Sequence, residues 1–128
     1  MATSQGVKLI SGEAGSAVTV YRLLTQAADG QLDLVADATE RPIGVCAESV
    51  ATVGQSVPLA IPNGAIVKME AGAAIAINAE LEAAGDGTGR AITHTDGAGD
   101  YKVGVAMTAA GAAGDIIEVQ FLVDIDQA

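Results

Sequence analysis

Aromatic residues are nearly missing from this chain: two tyrosines, one phenylalanine and no tryptophan in 128 residues. Half of the residues are hydrophobic all the same, so the core has to be filled by Ala, Val, Ile and Leu, which each remove less apolar surface from water than an aromatic ring. Such a core is thin, and oligomerisation would stabilise it by mass action. Cysteine occurs once, as Cys46, which excludes an intrachain disulfide framework and any site built from several thiolates. Histidine also occurs once, as His94, which excludes a histidine-rich metal centre. Positive charge is scarce, with six Lys and Arg against 16 Asp and Glu and a formal net charge of -10. The six cations, Lys8, Arg22, Arg41, Lys68, Arg90 and Lys102, are spread along the chain. A balance of that sign repels phosphate backbones and anionic lipid, so neither nucleic acid nor membrane is an expected partner. No apolar run approaches the roughly 18 residues of a membrane helix, and the first residues lack the apolar region of a signal peptide. The expectation is a soluble chain without an ordinary secretion signal.

What is present is an internal repeat. Residues 42–61 and 102–121 align without gaps: Ile43, Gly44 and Val45 match Val103, Gly104 and Val105, Gly54 matches Gly114, and Val57, Leu59 and Ile61 fall on Ile117, Val119 and Phe121. The earlier block from Ala14 to Val20 resembles Ala71 to Ile77. Shared composition would yield scattered Gly and Ala matches, but it would not keep the apolar positions in phase through both blocks. The spacing is 57 residues for Gly15 and Gly72 and 60 for Gly44 and Gly104, which places a short insertion between the blocks.

Each copy reads as strands joined by glycine turns. Ile117, Val119, Phe121, Val123 and Ile125 alternate with Glu118, Gln120, Leu122 and Asp124, the period of a strand with one buried face. Val57, Leu59 and Ile61 repeat the pattern around Pro58, whose missing N–H predicts an edge strand or one whose N–H points away from its neighbour. Further strands are predicted near residues 17–24, 31–35, 43–47, 65–70, 74–82, 90–94 and 101–107. Ala-rich stretches 71–84 and 106–113 leave one short helix open, although Gly72, Gly111 and Gly114 weaken it. Residues 1–12 read as a flexible arm, and residues 13–128 as a single β domain with repeat halves at about 7–61 and 64–121. The predicted fold is all-β, a small β-barrel or sandwich built from two diverged copies of one unit. Gly15, Gly44, Gly54, Gly72, Gly104 and Gly114 are its expected structural turn glycines.

Catalytic patterns fail on inspection. Cys46 matches Ala106 on an apolar strand and reads as a small buried residue, while His94, among Thr93, Thr95 and Asp96, reads as solvated. Asp86-Gly87-Thr88-Gly89-Arg90 lacks the Lys-Ser/Thr ending of a phosphate-binding loop. Asp96-Gly97-Ala98-Gly99-Asp100 lacks the twelve-residue calcium pattern, although turn carboxylates leave calcium open there. No catalytic residue, cofactor or metal site is assigned, and the chain reads as a non-enzyme.

The run Arg41-Pro42-Ile43-Gly44-Val45-Cys46-Ala47 with Gly54 resembles bacteriophage head cement proteins, also called capsid decoration proteins. So do Val67-Lys68-Met69-Glu70-Ala71-Gly72 and Ala113-Gly114-Asp115-Ile116-Ile117-Glu118-Val119, and the resemblance covers roughly residues 7–123. It implies a small β-barrel-like structural virion protein, commonly a homotrimer, made in the host bacterial cytoplasm and bound to the outer capsid surface. There it would bridge major capsid protein subunits and stabilise the expanded head. The polar N-terminal segment, with Thr3, Ser4, Gln5, Val7 and Lys8, is the candidate capsid-contact arm. The alternative is a small β-barrel module that binds a ligand or peptide in a tail or host-attachment structure.

Overall fold

The computed structural model describes residues 6–95, 97 and 99–125. Those residues form ten strands: β1 (Leu9–Glu13), β2 (Leu23–Gln26), β3 (Leu32–Leu34), β4 (Gly44–Cys46), β5 (Ser56–Ala60), β6 (Ile66–Glu70), β7 (Glu80–Ala83), β8 (Ala91–Thr93), β9 (Tyr101–Ala106) and β10 (Ile116–Ile125). They make two five-stranded antiparallel sheets, ordered β1-β5-β4-β2-β3 and β6-β10-β9-β7-β8. Raising each strand number of the first order by five gives the second, so the repeat is one of topology as well as of sequence.

The correspondence extends to single hydrogen bonds. Gly54 N–H donates to Ala14 C=O at 2.8 Å, and Gly114 N–H to Ala71 C=O at 2.8 Å. Tyr21 N–H meets Cys46 C=O as Asn78 N–H meets Ala106 C=O, both at 2.8 Å. Val18 and Val50 form an antiparallel bridge, as do Ile75 and Ala110. Ala27 N–H donates to Gln31 C=O and Ala84 N–H to Arg90 C=O. The offset is thus 57 at Ala27 but 59 at Gln31, which puts two extra residues in the β7–β8 turn; the third lies before β9, where Gly104 answers Gly44. The backbone repeats too: Gly54 and Gly114 have φ of 86° and 95°, and Tyr21 and Asn78, both non-glycine, have 68° and 70°.

Period-two alternation gives each sheet two faces. In unit 1 (β1–β5), Leu24, Cys46 and Leu59 join Ala14, Val18, Val50 and Val57 in a core of their own. The opposite face, with Leu23, Val45 and Ala60, packs into the core of unit 2 (β6–β10) beside Val67, Met69, Val119 and Phe121. The central strands of unit 1 are therefore buried on both faces, whereas among the described residues the matching outer face of unit 2 is free.

Several expectations need correction. The sheets stay open, so the fold is sandwich-like and not a closed barrel, and no helix forms among the described residues. Leu9–Gly12, assigned above to the arm, belong to β1, which pairs with β5 from Leu9↔Ala60 to Glu13↔Ser56. β5 is not an edge strand, since it lies between β1 and β4. Pro58 is tolerated because its backbone faces β4 just beyond Cys46: its carbonyl accepts from Ala47 N–H at 2.9 Å, past the end of the β4 ladder. Residues 17–22 and 74–79 contribute only the isolated bridges at Val18 and Ile75, because the chain turns at Tyr21 and Asn78. Gly44 and Gly104 lie inside β4 and β9 and not at turns.

Candidate functional site

Unit 1 meets unit 2 along a seam that local sequence patterns do not reveal. Tyr21 sits in the left-handed region, and its carbonyl accepts from Glu70 N–H at 2.9 Å, while Leu23 N–H donates to Gly89 C=O at 2.7 Å. Arg22 reaches the Glu70 carboxylate through Nη2 at 3.1 Å and Nε at 3.3 Å, and Arg90 Nε reaches it at 2.6 Å. Burial alone would raise the Glu70 carboxyl, but hydrogen bonds from Arg22 and Arg90 outweigh it and hold the group below the ordinary carboxylate value. The Asp86–Arg90 loop, which lacks the ending of a phosphate-binding loop, is part of this seam. Asp86 Oδ1 accepts from the Thr88 N–H and hydroxyl, which turns the loop so that the Thr88 and Gly89 carbonyls face Arg22 and Leu23.

At one end of the seam lies a cavity of about 200 Å³, walled by Val7, Leu9, Tyr21, Val45, Ile66 and Val67. Of the candidate contact residues, Thr3, Ser4 and Gln5 lie outside the described residues. Val7 is half-buried against the shared core, and Lys8 is exposed while its carbonyl accepts from Ile61 N–H at 3.0 Å. Gly6 is fixed through its carbonyl, which accepts from Asn63 Nδ2 at 2.9 Å. Of the glycines singled out, Gly15 and Gly72 receive matching positions, their N–H groups donating to Leu32 and Ala91 carbonyls at 2.8 Å.

The reactive residue types do not converge. Cys46 is fully buried in the core of unit 1, its Sγ 3.0 Å from Glu48 C=O, and burial pushes its thiol up. His94 belongs to unit 2 and is not solvated as expected: its side chain is 4% exposed, with Nδ1 2.7 Å from Glu82 Oε1. It stands where unit 1 has the buried Val35, since His94 N–H donates to Glu80 C=O as Val35 N–H does to Leu23 C=O. Among the described residues no three His, Cys, Asp or Glu side chains cluster to hold a metal. Of the turn considered for calcium, Asp96 and Ala98 lie outside the described residues. What the surface offers is a mechanical arrangement: an exposed edge strand, β1, with Leu9 56% and Ile10 43% exposed, a seam cavity, and the free outer face of unit 2.

A family described as phage cement protein matches residues 11–121. No curated protein matches the chain. Among solved structures, the N base of the head fiber gp8.5 of bacteriophage phi29 is similar, with a TM-score of 0.69 and 24% identity over 90% of this chain and 93% of that one. At that identity the likeness speaks to the fold alone, over nearly the whole of both chains.

Proposed function

The chain belongs to the phage cement protein family, as a structural protein of the virion, and from that premise we propose that it binds the outside of an icosahedral head. There it stabilises the expanded shell by bridging neighbouring major capsid protein subunits, and it works as a homotrimer. The observation that carries this reading is the family match over residues 11–121, nearly the whole β domain. Supporting it, the net charge of -10 suits a protein kept apart from packaged DNA. The free β1 edge offers backbone groups and the exposed Leu9 and Ile10 to a neighbouring protein. Val7 lines the seam cavity and Lys8 leads directly into that edge, and we assign the attachment role to the segment with Thr3, Ser4, Gln5, Val7 and Lys8.

Binding across subunit boundaries favours the assembled shell over dissociated subunits by linkage. Cognate expanded heads lacking this protein should therefore bind it saturably and melt at a higher temperature once decorated. A variant lacking residues 2–6 and carrying Lys8→Ala keeps β1 and should fold normally with reduced head occupancy. Unchanged occupancy removes the arm, whereas failure of the intact chain to bind any cognate expanded head removes the functional reading.

A further inference from the structure

The contact between unit 1 and unit 2 has two halves, and the repeat supplies a second, unused copy of each. The docking half of unit 1 consists of Tyr21 C=O, Leu23, Val45 and Ala60. Their counterparts on the free face of unit 2 are Asn78, Glu80, Val105 and Gln120. The receiving half of unit 2 consists of Glu70 N–H, Val67 and the Gly89–Arg90 turn. Its counterparts on the free edge of unit 1 are Glu13, Ile10 and Gly30–Gln31. The likeness includes side chains, because Gln31 Nε2 donates to Glu13 Oε1 at 2.7 Å as Arg90 Nε does to Glu70 at 2.6 Å.

Both unused halves keep the geometry of the used ones. Asn78 holds the left-handed conformation of Tyr21, with φ of 70° against 68°, a conformation that costs a non-glycine residue roughly 1–2 kcal/mol, with Asn among the least penalised. Tyr21 thereby presents its carbonyl to Glu70, whereas the exposed Asn78 carbonyl meets no backbone donor among the described residues. β1 has alternate backbone groups directed at β5, including Lys8 C=O and, just past the strand, Ala14 N–H, so Glu13 N–H points outward as Glu70 N–H does. Val67 is 8% exposed under unit 1, but its counterpart Ile10 is 43% exposed. The free face of unit 2 is hollowed by a cavity of about 190 Å³ between Glu80, Lys102, Val105, Gln120 and Leu122.

We propose that copies of this chain join head to tail, the free face of unit 2 in one copy seating on the β1 edge of the next, in the manner of the seam inside each chain. The inference deepens the oligomeric part of the reading above and is independent of head binding. A contact of this kind is heterologous and closes into a ring when its rotation permits. It is weaker than the internal seam, since Glu80 and Gln120 replace Leu23 and Ala60, and Ala79 stands where Arg22 would reach across to the acid. Association should accordingly be concentration-dependent.

Sedimentation of the purified full chain over a wide concentration range tests the proposal without heads. Ile10→Arg and Gln120→Arg alter exposed side chains on opposite halves of the contact. Each should abolish association while leaving intact the circular dichroism of the parent and its melting temperature at dilutions where the parent is monomeric. An equimolar mixture of the two should form one-to-one pairs, because one intact pair of halves remains. The double variant Glu80→Leu/Gln120→Ala, which restores the residues of unit 1, should tighten association by about tenfold or more. Parent and double variant both staying monomeric would overturn the proposal, as would association indifferent to the two Arg substitutions or a mixture that fails to pair. Head binding by a persistently monomeric chain would leave the head-binding part of the functional reading standing and refute this one together with the homotrimer.

Discussion

Glu70 bridges two guanidinium groups drawn from different units, with 12% of its side chain exposed. Replacing it by Gln strands Arg22 and Arg90 in a partly dry seam and should cost about 1–2 kcal/mol at neutral pH, less than a fully buried pair because both arginines reach water. Since the folded carboxyl lies below its ordinary value of 4.5, the stabilisation is complete above that value and fades as pH falls through the lower folded one. Melting curves of parent and Glu70→Gln should differ most near neutrality and converge in acid; a gap that widens with acid would contradict the sign. Gly104 makes a second demand at this scale. A Cβ there would stand 2.1 Å from Gln120 C=O, at φ of 140°, so Gly104→Ala should cost more than about 2 kcal/mol by chemical denaturation. Gly54→Ala, with open space around the new methyl, should cost only about 1 kcal/mol for its positive φ. Sequence alignment had set Gly54 opposite Gly114, and the two share a turn geometry; it also matched Gly44 with Gly104, but nothing in a one-dimensional pattern separates a turn glycine from one pressed against a neighbouring strand.

Strands with one buried face were legible, and strands without one were not. β5 and β10 alternate in the sequence because Val57, Leu59, Ile117, Val119 and Phe121 each reach a core. β1 escaped notice because none of Leu9–Glu13 is fully buried; backbone pairing to β5 holds it in place. Its counterpart β6 buries Val67 and Met69, and the difference is compensated one layer away. At the matching positions unit 2 has Met69 and Ala91, both buried in one core, whereas unit 1 has Gly12 under Leu32, and a Cβ on Gly12 would stand 2.5 Å from Leu32 Cδ1. Gly12→Met should therefore overpack the core of unit 1, and Leu32→Ala should leave a cavity costing roughly 2–5 kcal/mol. Together they recreate the arrangement of unit 2, so a double-mutant cycle should show a favourable coupling of at least about 1 kcal/mol. Additive losses would mean that the two layers are packed independently.

The whole molecule behaves as one body if its larger core does, since that core takes Leu23, Val35, Val45 and Ala60 from unit 1 and most of its mass from unit 2. A single calorimetric transition is expected for the chain as it exists. Leu23→Glu, which installs the residue of the free face at Glu80, should lower the melting temperature and split the transition, with the calorimetric enthalpy exceeding the van't Hoff value. Duplication was readable from the sequence, but the seam was not: Arg22, Glu70 and Arg90 each look like solvated surface charges, and only folding brings them together across 48 and 20 residues of chain. The Gly12–Leu32 and Met69–Ala91 exchange also bears on inheritance. A gene with two similar halves is exposed to unequal crossing-over, which would splice one half into the other and delete the interval between. For an exchange between the first and third strands of a unit, the deleted product sets Gly beside Ala, a void, and the reciprocal product sets Met beside Leu, a collision. Each half thus carries a packing signature that penalises recombinants, and complementary drift at two positions helps keep a doubled gene double.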